Sequence, residues 1–174
     1  MKKIVTTLGL VLLFTVPAWA QDEDYPRGEI FGGFSFFNSG DGRPQQLYGF
    51  ETSFTGNFHK NFGLTGDFGA QFKSIAGVTL QGYQYLVGPR VAARGERVTG
   101  FGHVLFGGET LRAGTFSTTG FAMAIGGGLD VNASENIAIR VIQLDWVPSR
   151  LQGVWFKRDF RAAVGVVVKL GGGS

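Results

Sequence analysis

The chain has 174 residues and no cysteine, which excludes a disulfide framework and a cysteine-ligated metal site. Lys and Arg number 16 against 13 Asp and Glu, a formal charge of +3 without a basic cluster, so nucleic-acid binding is not indicated. Glycine, with 29 residues, and phenylalanine, with 17, are unusually abundant. A chain of this length predicts one domain.

The first twenty residues, MKKIVTTLGLVLLFTVPAWA, have the features of a secretory signal peptide. Lys2 and Lys3 precede an apolar run, and Ala18-Trp19-Ala20 forms a small-residue cleavage site. The rest of the chain has no apolar run long enough for a transmembrane helix, so it would have to cross a membrane as a closed β-barrel. The predicted organisation is a signal peptide (1–20), a short lead (21–26), a folded domain (27–170) and a tail (171–174).

Eight segments alternate apolar and polar residues with the period of two that is typical of β-strands. Phe50 and Phe54, for example, alternate with Glu51 and Ser53. Two such segments around residues 59–61 predict an antiparallel hairpin. The predicted strands are 27–37, the two arms of 48–73, 80–93, 98–108, 120–131, 136–147 and 158–170.

The seventh segment departs from simple alternation. Arg140 has even parity, whereas Gln143 and Asp145 have odd parity. One face can hold all three polar side chains only if a β-bulge shifts the register. We therefore predict a bulge near Val141 or Ile142.

The connections between the predicted strands alternate in length. Short links (59–61, 94–97 and 132–136) follow strands two, four and six. Longer links follow the other strands, at 38–46, 74–79, 108–119 and 148–157. Short turns at one end and longer polar loops at the other are typical of outer-membrane barrels, in which the short turns are periplasmic.

The polar face of the strands indicates which face meets water. A solvated surface usually carries ~25–35% charged residues, whereas Gly, Ser, Thr and Ala predominate on this face. Small side chains suit the interior of an eight-stranded barrel, and charges there must pair. The predicted interior charge network comprises Glu51, Asp67, Arg90, Asp130, Arg140 and Arg161. The alternative is a soluble, lipocalin-like barrel with the two faces reversed and an apolar ligand inside.

Four stretches carry a family resemblance: RGEIFGGFSFF, FTGNFHKNFGLTGDFG, FAMAIGGGLDV and the closing RAAVGVVVKL. With them the chain resembles small bacterial outer-membrane barrels of the OmpA-like transmembrane-domain type, without the peptidoglycan-binding domain. The closing stretch matches the family's assembly signal at Gly165, Val168 and Leu170, but Ala163 replaces its polar residue and the terminal aromatic is missing.

The resemblance implies an all-β, eight-stranded antiparallel up-and-down transmembrane barrel in the bacterial outer membrane. It also implies a monomer that is surrounded by outer-membrane lipid and lipopolysaccharide and is inserted by the barrel-assembly machinery. In related barrels an interior arginine–carboxylate network plugs or gates the lumen. The matching residue here is Arg140, with Glu51, Asp67 or Asp130 as its partner.

The expected role is structural or surface-interactive, and a narrow pore for ions or very small solutes is the alternative. Catalysis is not expected, because His59 lies in a predicted turn and His103 lacks the neighbouring serine of a nucleophilic site. The two histidines and scattered carboxylates lack metal-ligand spacing, so neither a metal nor another cofactor is expected.

Overall fold

The computed structural model describes residues 25–40, 46–75 and 78–171, and in this part of the chain all regular structure is β. The predicted signal peptide (1–20), lead residues 21–24 and tail residues 172–174 lie outside the described residues. The strands are β1 (Gly28–Ser39), β2 (Gln46–His59), β3 (Phe62–Ile75), β4 (Val78–Arg94), β5 (Val98–Ala113), β6 (Phe116–Asn132), β7 (Ile137–Trp146), β8 (Ser149–Leu151), β9 (Val154–Phe156) and β10 (Asp159–Leu170).

Eight of these strands close into a barrel. Each of β1 to β6 pairs antiparallel with the next strand along the chain, and β10 pairs with both β7 and β1. The closing pair runs in register from Gly28 opposite Leu170 to Ser39 opposite Asp159. The predicted eight-stranded up-and-down barrel is confirmed. Among the described residues no helix has the length and apolar character needed to cross a membrane.

The two ends of the barrel are distinguished by the position of the chain ends. The short turns lie beside the chain ends, since the amide of Asn57 donates to the carbonyl of Arg27 and the amide of Lys169 donates to that of Asn136, both at 2.8 Å. By the rule that short turns are periplasmic, this is the periplasmic end. The opposite end is therefore the outer end.

The outer end corrects two sequence predictions. Residues 74–79 are not a longer loop, because β3 and β4 stay paired as far as Ile75 opposite Val78. Residues 108–119 are not a long loop, because β5 and β6 stay paired as far as Ala113 opposite Phe116. A tight turn joins them at Gly114, whose φ of 59° suits glycine. The link at 148–157 also contains a small hairpin, formed by β8 and β9, of which β8 pairs with β6.

The predicted bulge in β7 is confirmed. Leu129 lies opposite Ile142, but the next residue, Asp130, lies opposite Arg140, so Val141 is the extra residue. Val141 and Ile142 both point outward, with 47% and 41% of their surfaces exposed. The shift brings Arg140 to the same inward face as the polar residues that follow it.

The outer wall of the barrel is an apolar belt, and the inner face is polar. Outward side chains on all eight barrel strands are large, hydrophobic and exposed, including Phe34, Phe50, Phe68, Val87, Phe106, Ile125, Leu144 and Val166. Inward side chains include buried acids, guanidinium groups, amides and hydroxyls. This arrangement is opposite to that of a lipocalin, so the alternative of a soluble carrier is wrong.

Candidate functional site: the charged interior and the outer rim

Ion pairs near the periplasmic end form the first interior cluster. The Arg90 Nη1 lies 2.6 Å from Glu29 Oε2, and the Arg94 Nη1 lies 2.7 Å from Glu29 Oε1. Arg140 binds both oxygens of Asp130, with its Nε at 2.8 Å and its Nη2 at 3.1 Å. Arg90 also lies 3.5 Å from Asp130, which joins the two pairs into one cluster.

Aromatic rings cover the guanidinium groups of this cluster. The Arg140 guanidinium carbon lies 4.2 Å from the ring centres of Phe31 and Phe101, one from β1 and one from β5. Arg90 lies at the same distance from Phe101. Cation–π contact is strong where water is excluded, so these two inward aromatic residues help to hold the cations.

Arg161 is the centre of the second cluster and is almost completely buried. Its Nη1 lies 2.7 Å from Asp67, its Nη2 lies 2.8 Å from Asp145, and its Nε lies 3.1 Å from Glu51. His103 Nε2 lies 2.8 Å from the other oxygen of Asp145. One guanidinium group thus contacts three carboxylates from three strands.

Gln143 links the two clusters. Its amide nitrogen donates to Glu51 at 2.6 Å and to Asp145 at 2.8 Å, and its amide oxygen accepts from Arg140 at 2.7 Å. The bulge in β7 makes this link possible, because without it Arg140 and Gln143 would point to opposite faces. The interior charges therefore form one continuous network.

An apolar layer lies between this network and the outer end. Within it, Leu105 and Val147 are fully buried, and Phe37 and Leu47 reach toward the outer mouth. Lower in the barrel, the space around Arg140 and His103 has no room for a water molecule. The full layer comprises Phe37, Leu47, Leu86, Leu105, Ala122, Ala124 and Val147.

All six charged residues that were predicted to line the interior are buried there, and each contacts at least one charged partner. Asp130 forms an ion pair with Arg140. Glu51 and Asp67 form ion pairs with Arg161 instead. Sequence reasoning missed Glu29, Arg94, His103, Gln143 and Asp145. The parity of Glu29 was a usable signal, because it places the side chain on the same face as other inward residues of β1.

The two histidines occupy different surroundings. His59 is exposed at the end of β2, where its Nδ1 accepts from the backbone amide of Asn61. His103 is buried in the interior beside Asp145. Within residues 25–40, 46–75 and 78–171, no group of three or more His, Asp or Glu side chains is arranged to hold a metal ion.

The outer rim carries exposed cationic side chains. Arg112, near the end of β5, lies over the ring of Tyr83, and Arg150, on β8, lies over the ring of Trp155. Lys157 and Arg158, between β9 and β10, are also exposed. In the described part of this end the acidic side chains, Glu109 and Asp159, are buried. The accessible charge that the described residues present at the outer rim is therefore positive.

A closed barrel with an apolar belt outside and a paired, polar interior is a transmembrane β-barrel, because only closed barrels and helices satisfy the backbone in lipid. The fold is that of the eight-stranded transmembrane β-barrels. Comparison of the sequence with known protein families gives no match, and comparison with the curated proteins gives none.

Solved structures with this fold are similar to the chain. Ail, the attachment invasion locus protein of Yersinia pestis, has a TM-score of 0.58 and 17% identity, covering 84% of this chain and 99% of Ail. Neisserial surface protein A has a TM-score of 0.56 and 11% identity, with 82% and 96% covered. The N-terminal barrel of Pseudomonas aeruginosa OprF has a TM-score of 0.51 and 12% identity, with 83% and 98% covered.

Proposed function

We propose that the protein is a monomeric outer-membrane barrel whose outer rim binds densely anionic saccharides, with the interior serving as a rigid scaffold. The single observation that carries this proposal is the charge of the outer end. Arg112, Arg150, Lys157 and Arg158 are exposed there, while Glu109 and Asp159 are buried. Sulfate and phosphate groups are the natural counter-charges for such a surface, since arginine pairs with both in bidentate geometry.

The position of two of these arginines favours recognition over a diffuse charge effect. Tyr83 lies 5.7 Å from the guanidinium carbon of Arg112, and Trp155 lies 5.9 Å from that of Arg150. A guanidinium group beside a ring is partly held in place, so less side-chain freedom is lost when an anion binds. The two groups stand on different hairpins, which suits a ligand that bears several anionic groups.

One structural neighbour supports the same class of ligand. Ail of Yersinia pestis has been crystallised with the heparin analogue sucrose octasulfate, and that structure has a TM-score of 0.55 and 19% identity, covering 82% of this chain and 96% of Ail. For this chain the anionic saccharide has two sources. One is the phosphorylated sugar of the surrounding lipopolysaccharide, and the other is a sulfated glycan outside the cell.

The test is a binding measurement with the barrel in phospholipid nanodiscs, using heparin and lipid-free lipopolysaccharide core oligosaccharide as probes. The double variant Arg112→Gln/Arg150→Gln should raise the dissociation constant at least tenfold for the preferred probe. The control, Lys60→Gln/Arg97→Gln, removes the same charge from the exposed turns of the periplasmic end. Equal losses in both double variants, or no binding of either probe, would contradict the proposal.

The narrow-pore alternative has less support. A pore needs a continuous path for water, but the ion-pair network and the apolar layer both cross the lumen. His103 is buried beside Asp145, which supports a structural rather than a catalytic role for this histidine. The interior therefore favours a scaffold that holds the outer hairpins in place.

A further inference from the structure

A cavity opens at the outer mouth of the barrel, above the apolar layer. Its volume is about 320 Å³, within the ~300–1,000 Å³ range of small-molecule sites. Phe37 and Leu47 belong to both the apolar layer and the cavity, so they form its floor. Leu80, Leu111 and Phe116 contribute to its walls, which are mostly apolar.

The cavity depends on a glycine at an inward-facing position of the barrel wall. Gly82 on β4 lies opposite Leu111 on β5 and Gln71 on β3. A Cβ atom at Gly82 would lie 3.5 Å from Leu111 Cδ2 and 3.7 Å from Gln71 Oε1, which is ordinary van der Waals contact. A side chain would therefore fit at this position and extend into the cavity. Its absence keeps the cavity open.

One carboxyl group gives the cavity a polar point of attachment. Glu109 lines the cavity and is only 2% exposed. An ionised carboxylate has about four acceptor sites and no donor, so it can receive a ligand hydrogen bond in addition to contacts within the protein. Arg112 also lines the cavity, but its guanidinium group lies over the ring of Tyr83. An anionic ligand group placed beside Glu109 would be repelled, because water is largely excluded there. Glu109 therefore favours a ligand that donates a hydrogen bond.

We propose that this cavity is a binding site for a small apolar molecule that carries one hydroxyl or amino donor. The apolar body lies against Leu80, Leu111 and Phe116, and the donor reaches Glu109. The site differs from the saccharide-binding rim in position and chemistry, since it is a recess with mostly apolar walls rather than an exposed cationic surface. The two sites share one lining residue, Arg112, whose guanidinium group lies over the ring of Tyr83. The two proposals are tested separately, because their probes and their variants differ.

The experiment uses three naphthalene derivatives of similar size. 2-Naphthol donates a hydrogen bond, 2-methoxynaphthalene cannot donate, and 2-naphthoate is an anion. Binding is followed by changes in the backbone amide NMR signals of the barrel in nanodiscs. We expect saturable shifts at Gly82 and Leu111, with 2-naphthol binding at least tenfold more tightly than 2-methoxynaphthalene and 2-naphthoate binding most weakly.

Two variants test the space in the cavity and the hydrogen bond to Glu109 separately. Gly82→Leu should abolish saturable binding of all three probes, whereas Gly66→Leu, which adds the same side chain on the lipid face, should leave binding unchanged. Glu109→Gln should remove most of the preference for 2-naphthol over 2-naphthoate. Shifts confined to lipid-facing residues, binding that survives Gly82→Leu, or equal affinity for the three probes would overturn the proposal.

Discussion

At the scale of single residues, Arg140 shows how the interior is held together. Its guanidinium group binds both oxygens of Asp130, donates to Gln143 and lies between the rings of Phe31 and Phe101. All of these partners are buried or nearly so. Removing one member of a buried ion pair leaves the other charge without compensation, which is strongly destabilising.

The Arg140→Met variant should therefore lower the free energy of unfolding by about 3–5 kcal/mol. The loss is measured as the shift of the urea midpoint, with folded and unfolded barrel separated by electrophoresis of unboiled samples. Single-channel conductance in planar bilayers should stay low, because the apolar layer still crosses the lumen. Arg97→Met, in an exposed periplasmic turn, is the control. An unchanged urea midpoint would show that the network does not hold the barrel together.

Sequence parity could predict which charges point inward, but not their partners. Arg161 meets Asp67 and Glu51 across the barrel, and these residues are about a hundred positions apart in the chain. Which of them meet depends on the register of every strand in between. The predicted bulge places Asp145 on the inner face, but its contact with Arg161 depends on the register between β7 and β10, which the sequence does not give.

Among the strands, the bulge in β7 predicts different outcomes for two single-residue deletions. Val141 and Ile142 both point outward, while Arg140 and Gln143 on either side point inward. Deleting Val141 restores strict alternation and leaves both polar residues on the inner face. Deleting Leu144 instead turns Asp145 outward and separates it from Arg161, since a one-residue slip exchanges the two faces.

The Val141 deletion should therefore yield a folded barrel, and the Leu144 deletion should not. The measurement is the fraction of protein that migrates as the folded form in unboiled electrophoresis after refolding into lipid. Each deletion removes one outward aliphatic residue from β7, so the pair is matched. Equal folding of the two deletion variants would show that the inward face of β7 does not matter.

The strands within the apolar belt could be predicted from sequence to within a few residues, because each has one apolar and one polar face. The outer parts of β5 and β6 could not. There, residues such as Thr110, Arg112 and Thr119 face outward above the belt, where both faces of the hairpin tolerate polar side chains. Without a contrast between faces the period of two disappears, and paired strands have the composition of a loop.

In the whole molecule, the apolar face of the barrel meets lipid and the charged face fills the interior. The exposed aromatic and aliphatic side chains surround the barrel on all eight strands. Water cannot cover such a surface without a large hydrophobic cost, whereas hydrocarbon can.

Electrophoresis of a washed outer-membrane fraction, with and without boiling, tests this claim most directly. A transmembrane barrel stays folded in detergent at room temperature, so the unboiled protein should migrate differently from the boiled protein, and only in that fraction. Recovery of the protein in the soluble periplasmic fraction, with no change of mobility on boiling, would contradict the assignment of the two faces.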